Sequence, residues 1–259
     1  MIWYIQSILM NNILILDNIS KTYYTKNKEI EAIKNISLEI KEGELLAIVG
    51  PSGCGKSTLL NIIGNLDTLT KGKIIFPMER ANKIGYMFQQ DCLFEWLTIL
   101  DNCLLGLKIQ NKLTKENKQR VINLLENYGL KNFQNSLPKN LSGGMRQRVA
   151  LIRTLATNPD ILLLDEPFSA LDYQTRLSVS DDVYKIIKKE KKTTIMITHD
   201  IAEAISMADR IIVLSNRPST IKKVYNIELT NKKTPISNRS CIEFNDYYQK
   251  IWKDIDHNV

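Results

Sequence analysis

The sequence predicts an α/β fold, in which helices flank a parallel sheet and a helical subdomain is added. Residues 45–49 form a short apolar run typical of a buried parallel strand. A glycine-rich stretch follows at residues 50–58, and residues 59–63 then place apolar side chains on one helical face. Helical patterns fill most of residues 97–156, and apolar strands and helices alternate from residue 161 onward. This order of elements indicates an α/β core with a helical insert.

The first third of the chain is rich in strands. Residues 13–19 predict an opening strand, and a polar turn at residues 25–29 leads into a second strand at residues 32–40. Residues 72–76 and 84–88 predict two further strands, around a hairpin-like connection. The apolar run at residues 45–49 lies between these pairs.

The remaining elements divide the chain into regions. Helices are expected at residues 97–107, 116–128 and 145–156, and Asn158-Pro159 ends the last of them. Strands are expected at residues 161–164, 193–198 and 210–214, and a terminal helix at residues 244–255. We therefore predict one domain at residues 12–215, with a helical subdomain inserted at residues 90–158. Residues 216–259 would form a C-terminal tail, and residues 1–11 an N-terminal extension.

Composition limits the class of protein. The 259 residues are 44% apolar and 24% charged, as in ordinary globular proteins. The sequence contains no apolar run near the roughly 18 residues that a membrane helix requires, and it lacks a secretory signal pattern. The four cysteines show no metal-site spacing. The net charge of +7 comes from scattered lysines, which favours solvated surfaces over a nucleic-acid site. We expect a cytoplasmic protein.

The glycine-rich stretch reads G-P-S-G-C-G-K-S-T and matches the phosphate loop pattern G-x-x-x-x-G-K-[ST]. Its glycines let several backbone N–H groups converge on one anion. Lys56 adds a positive charge for the β- and γ-phosphates, and the Ser57 hydroxyl can bind Mg²⁺. We expect a nucleoside triphosphate to be bound by Gly50, Pro51, Ser52, Gly53, Cys54, Gly55, Lys56, Ser57 and Thr58.

Two later strands end in polar residues. The apolar residues 161–164 lead directly into Asp165 and Glu166, and buried strands seldom end in adjacent acids without a partner for them. Asp165 fits a residue that holds Mg²⁺, and Glu166 fits a general base for the attacking water. His199 follows another apolar strand, at the sheet edge where α/β proteins bind ligands. We expect it to contact the γ-phosphate.

Residues 141–147, L-S-G-G-M-R-Q, predict a second glycine-containing helix start. Ser142 can cap this helix and leave N–H groups facing outward, as an anion site requires. One nucleotide in one chain does not need two such sites. The stretch is explained if it binds the nucleotide held by a second copy of the chain.

Together these stretches resemble the ATP-binding cassette (ABC) ATPases. The resemblance is carried, in order and spacing, by residues 50–58, Gln89, residues 141–147 and 161–166, Ser169-Ala170-Leu171-Asp172, and His199. It covers residues 12–215 and implies a P-loop NTPase fold with a RecA-like parallel-sheet core, an antiparallel β subdomain and an inserted α-helical subdomain. It also implies an active ATPase that uses ATP and Mg²⁺, with Lys56, Gln89, Glu166 and His199 as catalytic residues.

The same resemblance implies further roles. Ser142, Gly143 and Gly144 would contact the ATP of the opposite subunit in a head-to-tail dimer, and Asp172 would link the two sites. Gln89 would join Ser57 and Asp165 at the metal and sense the transporter. Tyr23 would stack on adenine, and Tyr24 remains the alternative. Since Cys54 lies within the loop, we also expect ATP to protect the chain from inactivation by thiol reagents.

Other segments are similar to the nitrate, sulfonate and taurine importer subfamily. They comprise residues 88–102, Met145-Arg146-Gln147-Arg148, Phe168, and Asn216-Arg217-Pro218. Such importers use a separate membrane permease and an extracytoplasmic substrate-binding protein, so residues 89–96 would receive the permease at the cytoplasmic face of the membrane. Some members of this group carry vitamin precursors, which leaves the solute open.

Two alternatives come from other classes. Soluble ABC ATPases that act on ribosomes or nucleic acid usually have two cassettes or a long coiled-coil insert, and this chain predicts neither. A P-loop kinase has no use for residues 141–147, and a guanine-binding Asn-Lys-x-Asp motif is absent from the sequence. An importer ATPase is the favoured interpretation.

Overall fold

The computed structural model describes residues 11–26, 28–77 and 83–255, and within them the chain forms two sheets. The strands are β1 (Asn12–Thr25), β2 (Lys28–Lys41), β3 (Leu45–Val49), β4 (Lys71–Ile75), β5 (Ile84–Met87), β6 (Ile161–Asp165), β7 (Thr193–Ile197), β8 (Arg210–Leu214) and β9 (Ile221–Asn226). An antiparallel sheet has the order β2-β1-β4, and the larger sheet has the order β5-β6-β7-β3-β8-β9.

The larger sheet is parallel except for its last strand. Parallel pairing joins β5 to β6, β6 to β7, and β3 to both β7 and β8, whereas β9 runs antiparallel to β8. All five residues of β3 are buried, as expected of a central strand covered on both faces. The carboxyl ends of the parallel strands meet at one edge of this sheet, where α/β proteins bind ligands.

Helices connect and cover the strands. They are α1 (Lys56–Ile63), α2 (Ile99–Ile109), α3 (Lys115–Asn127), α4 (Gly143–Ala156), α5 (Tyr173–Lys189), α6 (Ile201–Met207), α7 (Pro235–Asn238) and α8 (Phe244–Ile255). Side chains of Thr98 and Thr114 accept hydrogen bonds from the backbone at the starts of α2 and α3, so both helices begin where a capping residue stands.

The alternation of side chains along β3 separates two apolar cores. Leu46 and Ile48 pack in a cluster with α1 and the antiparallel sheet. Leu45, Ala47 and Val49 face the opposite side, in a cluster that includes apolar residues of the helical insert and of α5 and α6. The phosphate loop, which follows β3, is therefore supported from both faces of the sheet.

The predicted α/β class is confirmed, but two local predictions in the first third of the chain differ from the structure. Strands β4 and β5 do not form a hairpin, because β4 pairs with β1 in the small sheet and β5 pairs with β6 in the large one. The turn expected at residues 25–29 is also shorter, since β1 reaches Thr25 and β2 starts at Lys28. In the predicted N-terminal extension, residues 1–10 lie outside the described residues.

The C-terminal segment takes part in the large sheet. Strand β9 pairs with β8 over its length, and α8 packs against α6 and β8. Phe244 and Ile251 of α8 are buried in the larger apolar cluster. A search of the described residues for a helix long and apolar enough to cross a membrane finds none.

Candidate nucleotide-binding site

The glycine-rich loop leaves β3 and enters α1 at Lys56. Gly53 and Gly55 have φ angles of 71° and 114°, in the region that favours glycine. A Cβ on Gly55 would lie 3.2 Å from the Ala32 carbonyl oxygen and 3.3 Å from the Ser219 hydroxyl. The loop is thus held in its curve between β2 and the turn after β8. The first amides of α1 have no acceptor within the helix and are suited to an anion.

The loop borders a cavity of about 550 Å³. This cavity is lined by Ser52, Gly53, Gly55, Lys56, Ser57, Thr58, Glu166, His199 and Arg217. Most predicted phosphate-binding residues therefore share one space with the predicted base and histidine. The parallel register explains this meeting, because β3, β6, β7 and β8 all end at the same edge of the sheet.

Lys56 is folded onto its own loop. Its side chain is buried, and the ammonium donates hydrogen bonds to the carbonyl oxygens of Gly50 and Pro51, each at 2.9 Å. These contacts fix the position of the ammonium group and occupy two of its three N–H donors. The buried charge therefore lies beside the cavity without a carboxylate to neutralise it within hydrogen-bond distance in the described part of the chain.

Ser57, which lines the cavity, is in contact with Asp165. The Ser57 hydroxyl donates to Asp165 Oδ1 at 3.3 Å, and the Tyr86 hydroxyl donates to Oδ2 of the same carboxyl at 3.3 Å. Burial raises the pKa of Asp165, while the hydrogen bonds from Ser57 and Tyr86 act to lower it. Hydroxyl and carboxylate oxygens are ligands that suit Mg²⁺, so this pair fits the predicted metal site.

Glu166 is the centre of a polar cluster at the end of β6. Its Oε2 atom lies 3.1 Å from His199 Nδ1 and accepts a hydrogen bond from Gln89 Nε2 at 3.2 Å. Glu166 itself has a φ angle of 45°, which is uncommon for a residue other than glycine. Its backbone N–H donates to the Ile197 carbonyl oxygen at 3.0 Å, which ties this bend to β7. Gln89, Glu166 and His199 are thereby brought together from three parallel strands.

Other predicted site residues lie outside this cavity. The Ser142 hydroxyl accepts a hydrogen bond from Met145 N at 3.3 Å and caps α4, and Asp172 caps α5 through Thr175 N at 3.0 Å. Gly143 is exposed. A Cβ on Gly144 would lie 2.8 Å from Val179 Cγ2, so only glycine allows α4 to approach α5 this closely. Neither the Ser142 stretch nor Asp172 lines the chain's own phosphate cavity.

The two tyrosines predicted near adenine differ in their surroundings. The Tyr23 hydroxyl donates to Asp67 Oδ2 at 2.7 Å, and Lys21 Nζ lies 4.7 Å from the centre of the ring. Burial raises the pKa of Tyr23, and a hydrogen bond with the Thr58 side chain acts in the opposite direction. Tyr23 is 38% exposed and Tyr24 is 67% exposed. Tyr23 is therefore the less exposed ring, its hydroxyl has a partner in Asp67, and it lies beside Thr58 at the end of the phosphate loop.

Two residues of the site were not anticipated. Tyr86 joins Asp165 to Asn61, because its single O–H is shared between the Asn61 side-chain oxygen, at 2.7 Å, and Asp165 Oδ2, at 3.3 Å. Its signal in the sequence is a hydroxyl within the otherwise apolar strand β5. Arg217 lines the cavity from the turn after β8, and its sequence position gives no sign of that contact. Cys54, by contrast, is buried, and burial raises the pKa of its thiol, which opposes the expected reactivity.

An aromatic pair marks the start of the helical insert. Phe94 and Trp96 form an edge-to-face contact with ring centres 5.1 Å apart, and Trp96 is 74% exposed. The preceding Asp91 accepts two hydrogen bonds from Arg146 of α4, at 2.8 and 3.0 Å. The segment after Gln89 is thus fixed to α4, the helix that Ser142 caps.

Comparison with known proteins gives consistent matches. The ABC transporter family profile matches residues 33–169. An uncharacterized ABC transporter ATP-binding protein of Bacillus subtilis is 44% identical, over 93% of this chain and 95% of the relative. An aliphatic sulfonates import ATP-binding protein of Bacillus anthracis is 36% identical over 93% and 95% of the two chains. A nitrate import ATP-binding protein of Synechocystis is 40% identical over 87% and 86%.

A solved structure also resembles the chain. It is the dimeric, post-hydrolysis state of an ATP-binding cassette bound to ADP and phosphate. The TM-score is 0.69 and the identity 37%, over 83% of this chain and 99% of the other. The likeness therefore includes nearly the whole of the solved cassette.

Proposed function

Because this chain belongs to the ABC transporter family and is an ATPase of that family, we propose that it powers an importer of a small solute through a separate membrane permease. The observation that carries the proposal is the cluster at Glu166, whose carboxylate contacts Gln89 and His199 beside the phosphate-loop cavity. A base, its neighbouring histidine and a glutamine that connects to the helical insert are the parts a coupled hydrolysis requires.

The residues of this chain would have separate roles in ATP hydrolysis. Lys56 and the amides of the loop bind and orient the phosphates, and Glu166 accepts the proton of the attacking water. His199 and Gln89 hold the Glu166 carboxylate toward the cavity through contacts of 3.1 and 3.2 Å. Mg²⁺, held by the oxygens of Ser57, Asp165 and Gln89, would offset the charge that builds on the phosphates.

A second copy completes the site in this proposal. Ser142 and Gly143 are exposed, and the helix start they form lies outside the chain's own cavity. Exposed N–H groups at a helix start favour an anion. The similar solved cassette is a dimer. We infer a head-to-tail dimer in which Ser142, Gly143 and Gly144 contact the partner's ATP, with Asp172 between the two sites.

The permease would bind at residues 89–96. Trp96 and Phe94 form an exposed aromatic pair in the segment that follows Gln89, and exposed aromatic residues are frequent anchors of protein interfaces. Arg146 connects this segment to α4, so movement of the permease would reach the Ser142 helix start. The protein would therefore work at the cytoplasmic face of the membrane, with an extracytoplasmic binding protein as an indirect partner.

The solute is inferred from relatives. The import proteins for aliphatic sulfonates and for nitrate are 36% and 40% identical to this chain, and both names describe small anions. A small solute that carries an anionic group, such as a sulfonate, taurine or nitrate, is therefore our proposal, and a vitamin precursor is the second class to screen. No nucleic acid is expected as a partner.

The test is to isolate the tagged chain from gently solubilised native membranes and to identify what accompanies it. We expect a polytopic permease and an extracytoplasmic binding protein, and the binding protein can then be screened for its solute. Recovery with ribosomes or nucleic acid and without a membrane protein would refute the importer and leave only the ATPase.

A further inference from the structure

Arg217 lies in the turn between β8 and β9, and the register of the sheet brings that turn to the phosphate loop. Val49 pairs with Val213, so the residue after each strand emerges at the same edge. A Cβ on Gly50 would lie only 3.0 Å from the Leu214 carbonyl oxygen. The chain that follows β8 therefore begins in contact with the first glycine of the loop.

The turn is closed and anchored. Ser215 N donates to the Thr220 carbonyl oxygen at 3.0 Å, and Thr220 N donates to the Ser215 hydroxyl at 3.0 Å. Ser219 is fully buried and donates to the Ala32 carbonyl oxygen through both its N–H, at 3.0 Å, and its hydroxyl, at 3.2 Å. These bonds leave residues 216–218 as the tip of a short turn held against β2 and the phosphate loop.

The Arg217 side chain extends from this tip over the loop. Its Nη2 atom donates to the Gly53 carbonyl oxygen at 2.7 Å, and the side chain lines the same cavity as Lys56, Glu166 and His199. The Gly53 oxygen is the one hydrogen-bond acceptor of this guanidinium among the residues that the structure describes. An arginine has five donors in a planar fork, so most of them stay available to a ligand in the cavity.

The charges of the cavity favour a polyphosphate at this position. Lys56 is buried, and two of the N–H donors of its ammonium are hydrogen-bonded to backbone carbonyl oxygens. The Arg217 side chain, by contrast, is exposed and lines the cavity. A guanidinium fork matches two phosphate oxygens, and its hydrogen bonds to an anion are charge-assisted. We propose that Arg217 binds the β- and γ-phosphates of ATP while it holds the Gly53 carbonyl. The inference rests on the proposed ATPase function and adds a contact from outside the loop and strand motifs.

The test measures ATP binding by calorimetry with EDTA present, so that neither hydrolysis nor Mg²⁺ affects the result. Arg217→Gln should weaken ATP binding by about 10- to 100-fold, the loss expected of charge-assisted hydrogen bonds. Arg217→Lys keeps the charge without the fork and should lie between this variant and the wild type. Lys112→Gln removes the same charge at an exposed position in the helical insert and should bind like the wild type.

Two further measurements separate binding from bracing of the loop. The difference between the wild type and Arg217→Gln should shrink as salt rises from about 0.05 M to 0.5 M, because salt screens an exposed charge. The melting temperature without nucleotide should match that of the wild type. An unchanged ATP affinity in Arg217→Gln overturns the proposal, and so does equal weakening in both Arg217 variants with a lower melting temperature. A wild-type protein that fails to bind ATP would instead refute the proposed function.

Discussion

Arg146 connects the Ser142 helix to the segment after Gln89, and its removal should destabilise the fold measurably. Its guanidinium donates to Asp91 at 2.8 and 3.0 Å and to Glu95 at 2.7 Å. The side chains of Arg146 and Asp91 are each 23% exposed, whereas that of Glu95 is 53% exposed. Most of the effect is therefore expected from the Arg146–Asp91 pair.

The magnitude follows from this burial. Breaking a fully buried ion pair costs about 3–5 kcal/mol, and exposed pairs contribute at most about 1 kcal/mol. Discounting for partial exposure, Arg146→Met should lower the free energy of unfolding by about 3 kcal/mol. For a chain of this size each kcal/mol moves the melting temperature by about 2–4 °C, which gives a fall of about 6–12 °C.

The assay is thermal and urea unfolding of Arg146→Met, Asp91→Asn and the double variant. The two single changes should be strongly non-additive, with a coupling of about 1.5 kcal/mol or more. Glu95→Gln is the matched control and should cost less than about 1 kcal/mol. If Arg146→Met costs no more than Glu95→Gln, the pair does not stabilise this junction and the reasoning is wrong.

The pH dependence gives an independent check. Burial alone would raise the pKa of Asp91, but hydrogen bonds from Arg146 and Leu93 outweigh it and lower the pKa overall. A group whose pKa is lower in the folded state stabilises the fold above its unfolded pKa. The advantage of the wild type over Asp91→Asn should be constant from about pH 8 to pH 5. It should disappear as the pH falls below about 4 and through the lowered pKa.

Three further predictions concern the site and its surface. Glu166→Gln should slow phosphate release about 10²- to 10⁴-fold while ATP still binds, because the variant loses the general base and keeps the shape of the side chain. Unchanged turnover would exclude Glu166 as the base. Thiol reagents should modify exposed Cys92 quickly and buried Cys54 only as the fold opens, as mass spectrometry of the labelled chain can show. Rapid inactivation through Cys54 that ATP prevents would contradict its burial. Trp96→Ala should leave the ATPase rate and stability of the isolated chain nearly unchanged and reduce the amount of permease that is recovered with it. Equal recovery would show that the permease binds at another surface.

The parts of the site that the sequence predicts are those set by local pattern. A strand, a glycine-rich loop and a helix are neighbours in the chain, and Glu166 and His199 each follow an apolar strand. Parallel pairing alone then brings these ends together, so Lys56, Glu166 and His199 share a cavity as expected. Terminal helix α8, at Phe244–Ile255, was likewise predictable from its own periodicity.

The parts that the sequence does not predict depend on distant pairing. Strands β4 and β5 are close in the sequence, which predicts a hairpin. Each of them pairs instead with a strand that is more distant in the sequence, β4 with β1 and β5 with β6. Arg217 lies 164 residues from Gly53, and only the sheet register makes them neighbours. Cys54 lies in a glycine-rich loop, where exposure is expected, but its own side chain is buried. None of these has a signal within a local window of sequence.

The strand order gives the nucleotide site an uneven stiffness. Strand β3, which carries the phosphate loop, is bonded on both sides, by β7 and β8. Strand β5, which leads to Gln89, is four residues long, and β6 is its one neighbour within the described residues. A strand at the edge of a sheet can bend with the loss of fewer hydrogen bonds than a central strand. Displacement of the helical insert would be absorbed at β5, while the backbone amides of the loop after β3 keep their position.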